Sequence, residues 1–248
     1  MKVLKVKTAL LGIALVTGIT MLTPAAMAGG KDRVYRVTIQ NATLGQPVAP
    51  SVIATHDDAF HLFDLGPAPM PGDSGYDDYF ALAAMAETGY PFHVYDQVSA
   101  SNGVWEATVL ATGNMPPVIF PGGSNSTTIS SSGNAKYLSA VAMLGATNDA
   151  VYAVRGVMLP RGIGDTVRVD ANAYDVGSEA NAESPATVGA LGAMDDNPVS
   201  GAGINDGSGE GYIFVHAGIH GVGGMGGLSA ATHDWRNPVV ELTIERIE

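Results

Sequence analysis

Cysteine is absent from this chain of 248 residues. That excludes disulfide stapling, thiol nucleophiles, cysteine-ligated zinc and thioether-linked haem. A chain of this length buries enough surface to fold without staples, so the absence is compatible with an oxidising compartment. Positive charge is scarce too: 12 Lys and Arg stand against 24 Asp and Glu, a net charge of −12. Binding to nucleic acid or to an anionic lipid surface draws on Lys and Arg, and both are disfavoured here. A chain this acidic attracts cations instead, divalent ones included. Beyond Ala28 there is no apolar run long enough to span a bilayer. No glycine-rich loop follows a strand and opens a helix, which argues against nucleotide use.

What is present begins with an export signal. Lys2, Lys5 and Lys7 precede the apolar run from Thr8 to Met21, and Pro24 leads into Ala25-Ala26-Met27-Ala28. A basic start, a short apolar middle and a small-residue end make residues 1–28 a secretory signal peptide, cut after Ala28. The apolar run is shorter than the ~20 residues of a membrane-spanning helix. The product is therefore expected to be one domain over 29–248, secreted or periplasmic, without a membrane span. Losing three lysines would make it more acidic still.

Thirty-two glycines and fourteen prolines with only 15% charged residues suit many tight turns between short strands. In 34–40, Tyr35, Val37 and Ile39 alternate with Arg36, Thr38 and Gln40. In 240–245, Val240, Leu242 and Ile244 alternate with Glu241, Thr243 and Glu245. Both segments read as strands with one buried and one wet face. Further β-rich stretches fall at 51–55, 104–111, 137–144, 151–158, 166–174 and 212–216, separated by turn-formers such as Pro121-Gly122-Gly123 and Gly162-Ile163-Gly164-Asp165. The expected class is all-β, an antiparallel β-sandwich with long glycine-rich loops at 192–211 and 221–227. One helix is expected over 76–88, with Ser74 or Asp73 as N-cap and Gly89 at C′.

Acids at strand-to-loop junctions are the first candidates for chemistry. Asp149 lies between the stretch ending near Leu144 and the one starting near Val151, and Asp175 directly follows 166–174. Carboxylates so placed can converge at one end of a sandwich and supply oxygens to Ca²⁺; solvated loop acids are the plain alternative. Histidines are the second candidates. His216 and His220 share a face of an extended chain, and His56 and His233 each precede an aspartate. Together they would suit copper or zinc, whereas structural or exposed histidines are the plainer reading. Gly72-Asp73-Ser74-Gly75 imitates a serine-protease nucleophile segment, but a triad is a matter of geometry, and these residues suit a helix start. Asp206 to Gly211 lacks the spacing and flanking helices of an EF-hand and reads as a hairpin connection.

Five segments in order resemble the spondin N-terminal domain family. They are Tyr35 to Asn41, Ala54-Thr55-His56-Asp57 with Phe60 and Leu62-Phe63, Ala86-Glu87-Thr88-Gly89, Tyr174-Asp175-Val176-Gly177-Ser178-Glu179, and Trp235-Arg236-Asn237-Pro238-Val239. The resemblance spans nearly all of 29–248 and implies a C2-like antiparallel sandwich that binds calcium and acts in adhesion. It places metal ligands at Asp149 and Asp175, with the backbone carbonyl of Ala171 as a third. The chain departs from the family at Ala150-Val151-Tyr152-Ala153, where Trp-Phe-Val-Gly is usual. The glycine-rich 216–227 segment resembles bacterial versions of the domain. The resulting expectation is a non-enzymatic, calcium-binding module. Its partner would be an extracellular or cell-surface protein or glycan. A histidine-based copper- or zinc-binding protein or enzyme of the envelope is the alternative.

Overall fold

The computed structural model describes residues 32–191 and 209–248. The proposed signal at 1–28 and most of the glycine-rich 192–211 stretch lie outside the described residues. Among the described residues, ten strands run in chain order: β1 (Arg33–Asn41), β2 (Ser51–His56), β3 (Gly66–Pro67), β4 (Val104–Leu110), β5 (Ser124–Ser131), β6 (Tyr137–Met143), β7 (Ala150–Met158), β8 (Thr166–Asp175), β9 (Tyr212–Val215) and β10 (Val240–Arg246). Every pairing among them is antiparallel. The protein is all-β with a few short helices, as the turn-rich composition implied.

The sheet follows the order β4-β2-β6-β7-β8-β10-β1-β5 and rolls up until its two edge strands meet. Side chains rather than ladder bonds hold this seam. The Glu106 carboxylate accepts from the Ser130 N–H at 2.8 Å and from the Ser130 hydroxyl. Thr55 Oγ1 donates to the Ser130 carbonyl at 2.7 Å, and Asn125 Nδ2 donates to the Ala111 carbonyl at 3.1 Å. Exposed strand edges invite pairing with other chains, and near-closure removes that hazard.

Two apolar layers explain the sequence patterns. Inside the roll, Tyr35, Val37, Ile39, Leu242 and Ile244 face Ile53, Leu138, Tyr152 and Val154. These β1 and β10 residues are the alternating set, because the other face of those strands meets water. Strands β2, β6 and the first half of β7 are buried on both faces, so they show no apolar–polar alternation. Their outer face, with Val52, Val141 and Val151, is covered by two helices, α1 (Tyr76–Thr88) and α2 (Phe92–Ala100).

Helix α1 has the expected bounds. Gly89 closes it with φ 70° and an N–H bond to the Met85 carbonyl at 2.9 Å. Its N-cap is Gly75, not Ser74 or Asp73, and no side chain caps it. The Asp73 carboxylate is instead engaged by the Met70 N–H at 2.9 Å, tightening the preceding turn. Helix α2 was not expected. Its sequence FHVYDQVSA is rich in β-branched and aromatic residues of modest helix propensity. Packing decides the case, since Val94 and Val98, one turn apart, bury against α1 and the β4 side of the sheet. A third helix, α3 (Ala230–His233), is one turn long.

Candidate functional site

Strand β7 begins at Ala150, directly opposite Asp175 at the end of β8. That register sets Asp149, one residue before β7, beside Asp175 at the same end of the roll. The chain then leaves β8 through Val176 and Gly177 and is crossed by the segment 209–211. Gly177 has φ 71°, and a Cβ there would lie 2.5 Å from the Tyr212 carbonyl oxygen. Gly209 passes equally close, a Cβ on it falling 2.4 Å from the Gly177 oxygen. The Gly211 N–H then bonds that same oxygen at 2.9 Å. Glycine at these positions lets two backbones touch, and pairing of β9 with Tyr174 and Asp175 locks the crossing. Glu210 is thereby delivered to the two aspartates.

Asp149, Asp175 and Glu210 each offer one carboxylate oxygen within 4.8 Å of the other two. Both aspartates are fully buried, while Glu210 is exposed. Asp149 Oδ2 is saturated, accepting from the Ser178 N–H at 2.7 Å, the Ser178 hydroxyl at 3.2 Å and the Glu179 N–H at 2.9 Å. Its Oδ1 is buried with no hydrogen-bond partner. Asp175 Oδ1 accepts from the Gly177 N–H at 2.8 Å, and its Oδ2 from Asn181 Nδ2 at 2.5 Å. The same Asn181 nitrogen reaches Glu210 Oε1 at 3.2 Å.

No Lys or Arg forms an ion pair with this cluster among the described residues. Burial is the main force raising the Asp149 carboxyl, to about 6, against the donors on Oδ2 that lower it. Burial also dominates at Asp175, with the charge on Asp149 adding to it, and pushes that carboxyl up to about 8. Two buried acids held together without a cation resist ionising as a pair. The group as a whole can hold a metal ion. An ion 2.3–2.6 Å from each of two oxygens permits them to stand as far as about 5 Å apart, which suits the 4.8 Å spread.

His216 sits against the cluster, its Nε2 3.8 Å from Asp175 Oδ2. Burial lowers its pKa to about 4, so it is neutral at pH 7 and the contact is no salt bridge. The Gly218 N–H donates to His216 Nδ1 at 3.0 Å, which makes Nδ1 the acceptor and leaves the proton on Nε2. The nitrogen facing the carboxylates is therefore a donor, not a free metal ligand.

Of the residues singled out from sequence, the structure brings Asp149 and Asp175 together. It does not bring Ala171 to them. Ala171 lies four residues back along the extended β8, roughly 13 Å away. Its carbonyl accepts from the Val239 N–H at 2.9 Å, next to the β8–β10 ladder. Nor do the four histidines gather. His56 is buried between Phe60 and Tyr137, with Nδ1 2.7 Å from the Asp57 carbonyl and Nε2 2.9 Å from Ser139 Oγ. His233 Nδ1 accepts from the Ser229 N–H at 2.9 Å, and His220 is exposed. Among the described residues, no set of three metal-ligating side chains includes a histidine. Glu210 is the member that sequence reading missed. It carries the same signal as Asp149, an acid just ahead of a strand, but inside a glycine run read as a connection.

No family model matches the chain, and no curated protein is significantly similar to it.

Proposed function

We propose that this chain is an exported, calcium-binding β-protein that works by binding rather than by catalysis. The ion would tie the start of β7, the end of β8 and the 209–211 segment into one rigid end of the roll. The observation that carries this reading is Asp149 Oδ1, a fully buried carboxylate oxygen with no donor, on a side chain that groups with two further acids. Such an oxygen is costly to bury unless a cation meets it. An all-oxygen donor set with flexible spacing favours Ca²⁺ over the softer transition metals, and over Mg²⁺ with its strict octahedron at 2.0–2.1 Å. The tautomer of His216 points the same way, because it withholds the one nitrogen close enough to recruit zinc or copper.

The rigidified end would present the recognition surface, its partner an extracellular or cell-surface protein or glycan. The signal-like residues 1–28 and the ordered resemblance to the spondin N-terminal domain support that setting. Two measurements test the reading. Titration calorimetry with Ca²⁺ should find one site in the wild type and none in Asp149→Asn. Binding of the purified domain to a glycan array or to immobilised surface proteins should appear in Ca²⁺ and vanish in chelator. A wild type that takes up no Ca²⁺ overturns the proposal. Calcium uptake without any calcium-dependent surface binding limits the ion to a stabilising role.

A further inference from the structure

Resting on that reading of the cluster, we infer that Asn181 is a ligand of the ion, recruited by rotation of its side-chain amide, and that it tunes the site for a calcium-sized cation. Asn181 contributes no charge, yet its amide bridges two of the three carboxylates. One nitrogen, Nδ2, lies 2.5 Å from Asp175 Oδ2 and 3.2 Å from Glu210 Oε1, bridging the buried acid and the exposed one. The Asn181 backbone N–H also leans toward Glu210 Oε1, at 3.4 Å. A tight turn fixes the backbone here, the Ala182 N–H bonding the Ala180 carbonyl at 2.6 Å across Asn181. With the backbone held, the change falls to the side-chain torsions, chiefly the turn of the amide plane.

An amide is a donor at one end and an acceptor at the other, and half a rotation about its last torsion exchanges the two. Without a cation the donor end faces the carboxylates, since an oxygen there would meet only other oxygens. With a cation the preference inverts: Oδ1 arrives as a neutral ligand and the nitrogen turns away. The amide thus stands in for the ion in the metal-free protein and coordinates it in the loaded one. A neutral oxygen raises the ligand count without adding a negative charge. That is what a large divalent ion with 6–8 oxygens needs, and what a small ion that keeps its own waters does not.

The alternative role is distinct. An amide that only satisfies the empty carboxylates would compete with the ion, and its removal would tighten binding. The test uses the full domain as wild type, Asn181→Ala and Asn181→Asp. Ca²⁺ affinity is measured by calorimetry, and bound water is counted from Eu³⁺ luminescence lifetimes in H₂O and D₂O. The expected result for Asn181→Ala is at least a tenfold loss of Ca²⁺ affinity and one additional water on Eu³⁺. Asn181→Asp keeps an oxygen at that position in either rotamer. It should retain or exceed wild-type Ca²⁺ affinity with the wild-type water count. Equal or tighter binding by Asn181→Ala, with no added water, overturns the inference while leaving the site intact. A wild type that binds neither ion overturns the site itself, and the role of Asn181 with it. Circular dichroism of each variant separates lost binding from lost folding, and Asn181→Asp answers the question if Asn181→Ala does not fold.

Discussion

Replacing Asp149 by asparagine should make the metal-free protein more stable and the calcium-loaded protein less so. The amide oxygen can keep all three bonds that Oδ2 now accepts from Ser178 and Glu179. The amide nitrogen takes the place of the orphaned Oδ1, and the substitution removes one negative charge from a group of three acids. Two like charges within 4.8 Å of each other repel by about 3 kcal/mol or more at an effective dielectric near 20. At pH 8, where Asp175 is about half protonated, part of that repulsion remains, and a gain of about 1–3 kcal/mol is expected in chelator. For a domain of this size that is a rise of about 3–10 °C in Tm. Calcium acts in the opposite direction. At a hundredfold excess over Kd it stabilises the wild type by about 2.7 kcal/mol, or about 5–10 °C, and Asp149→Asn should gain almost nothing. The order of the two melting temperatures should therefore invert between chelator and millimolar Ca²⁺ in scanning calorimetry. Asp149→Asn melting below the wild type in chelator would refute the reasoning, because Asp149 would then contribute to the fold without any ion.

Three further expectations concern the same end of the roll. In chelator, Asp149 and Asp175 hold their protons in the folded state to about pH 6 and 8 but lose them near 3.8 when unfolded. The folded form binds more protons at these two acids across that window, so the stability they contribute without metal is full below about pH 4 and is lost as pH rises to 8. His216, kept neutral by burial, opposes part of that change between about pH 4 and 6.5. Saturating Ca²⁺ should flatten this slope, and calcium affinity should climb from pH 5 to 8 with measurable proton release. Replacing His216 and His220 together by alanine should leave Ca²⁺ stoichiometry unchanged; loss of a bound copper or zinc ion in elemental analysis would revive the histidine reading. Gly177→Ala should cost about 2 kcal/mol or more in denaturant unfolding, because it adds left-handed strain to a Cβ pressed on the Tyr212 backbone.

Legibility in the sequence followed how local the cause was. Strands β1 and β10 show clean alternation because one face meets water, and α1 shows its Gly89 stop because the left-handed turn needs glycine. Asp149 and Asp175 could be chosen from position alone, since both sit where a strand meets a loop. Glu210 could not be placed with them, because its position depends on β9 pairing with β8 and on glycines that let two backbones cross. Helix α2 and strand β5 were hidden for related reasons. Packing makes FHVYDQVSA helical, and SNSTTISS carries one large apolar residue, Ile129, to reveal its buried face. The expected Ala171 ligand shows the cost of carrying a position over from a resemblance. On an extended strand a residue four places back is far from the strand end, and its carbonyl is already bonded.

The most direct test of the central claim is the melting temperature and metal content of the wild-type protein after exhaustive chelation and again after adding Ca²⁺. The account expects one Ca²⁺ per chain to be retained on gel filtration after re-addition, with Tm raised by about 5–10 °C at a hundredfold excess over Kd. A protein that retains no calcium and melts at the same temperature in chelator and in millimolar Ca²⁺ would contradict it.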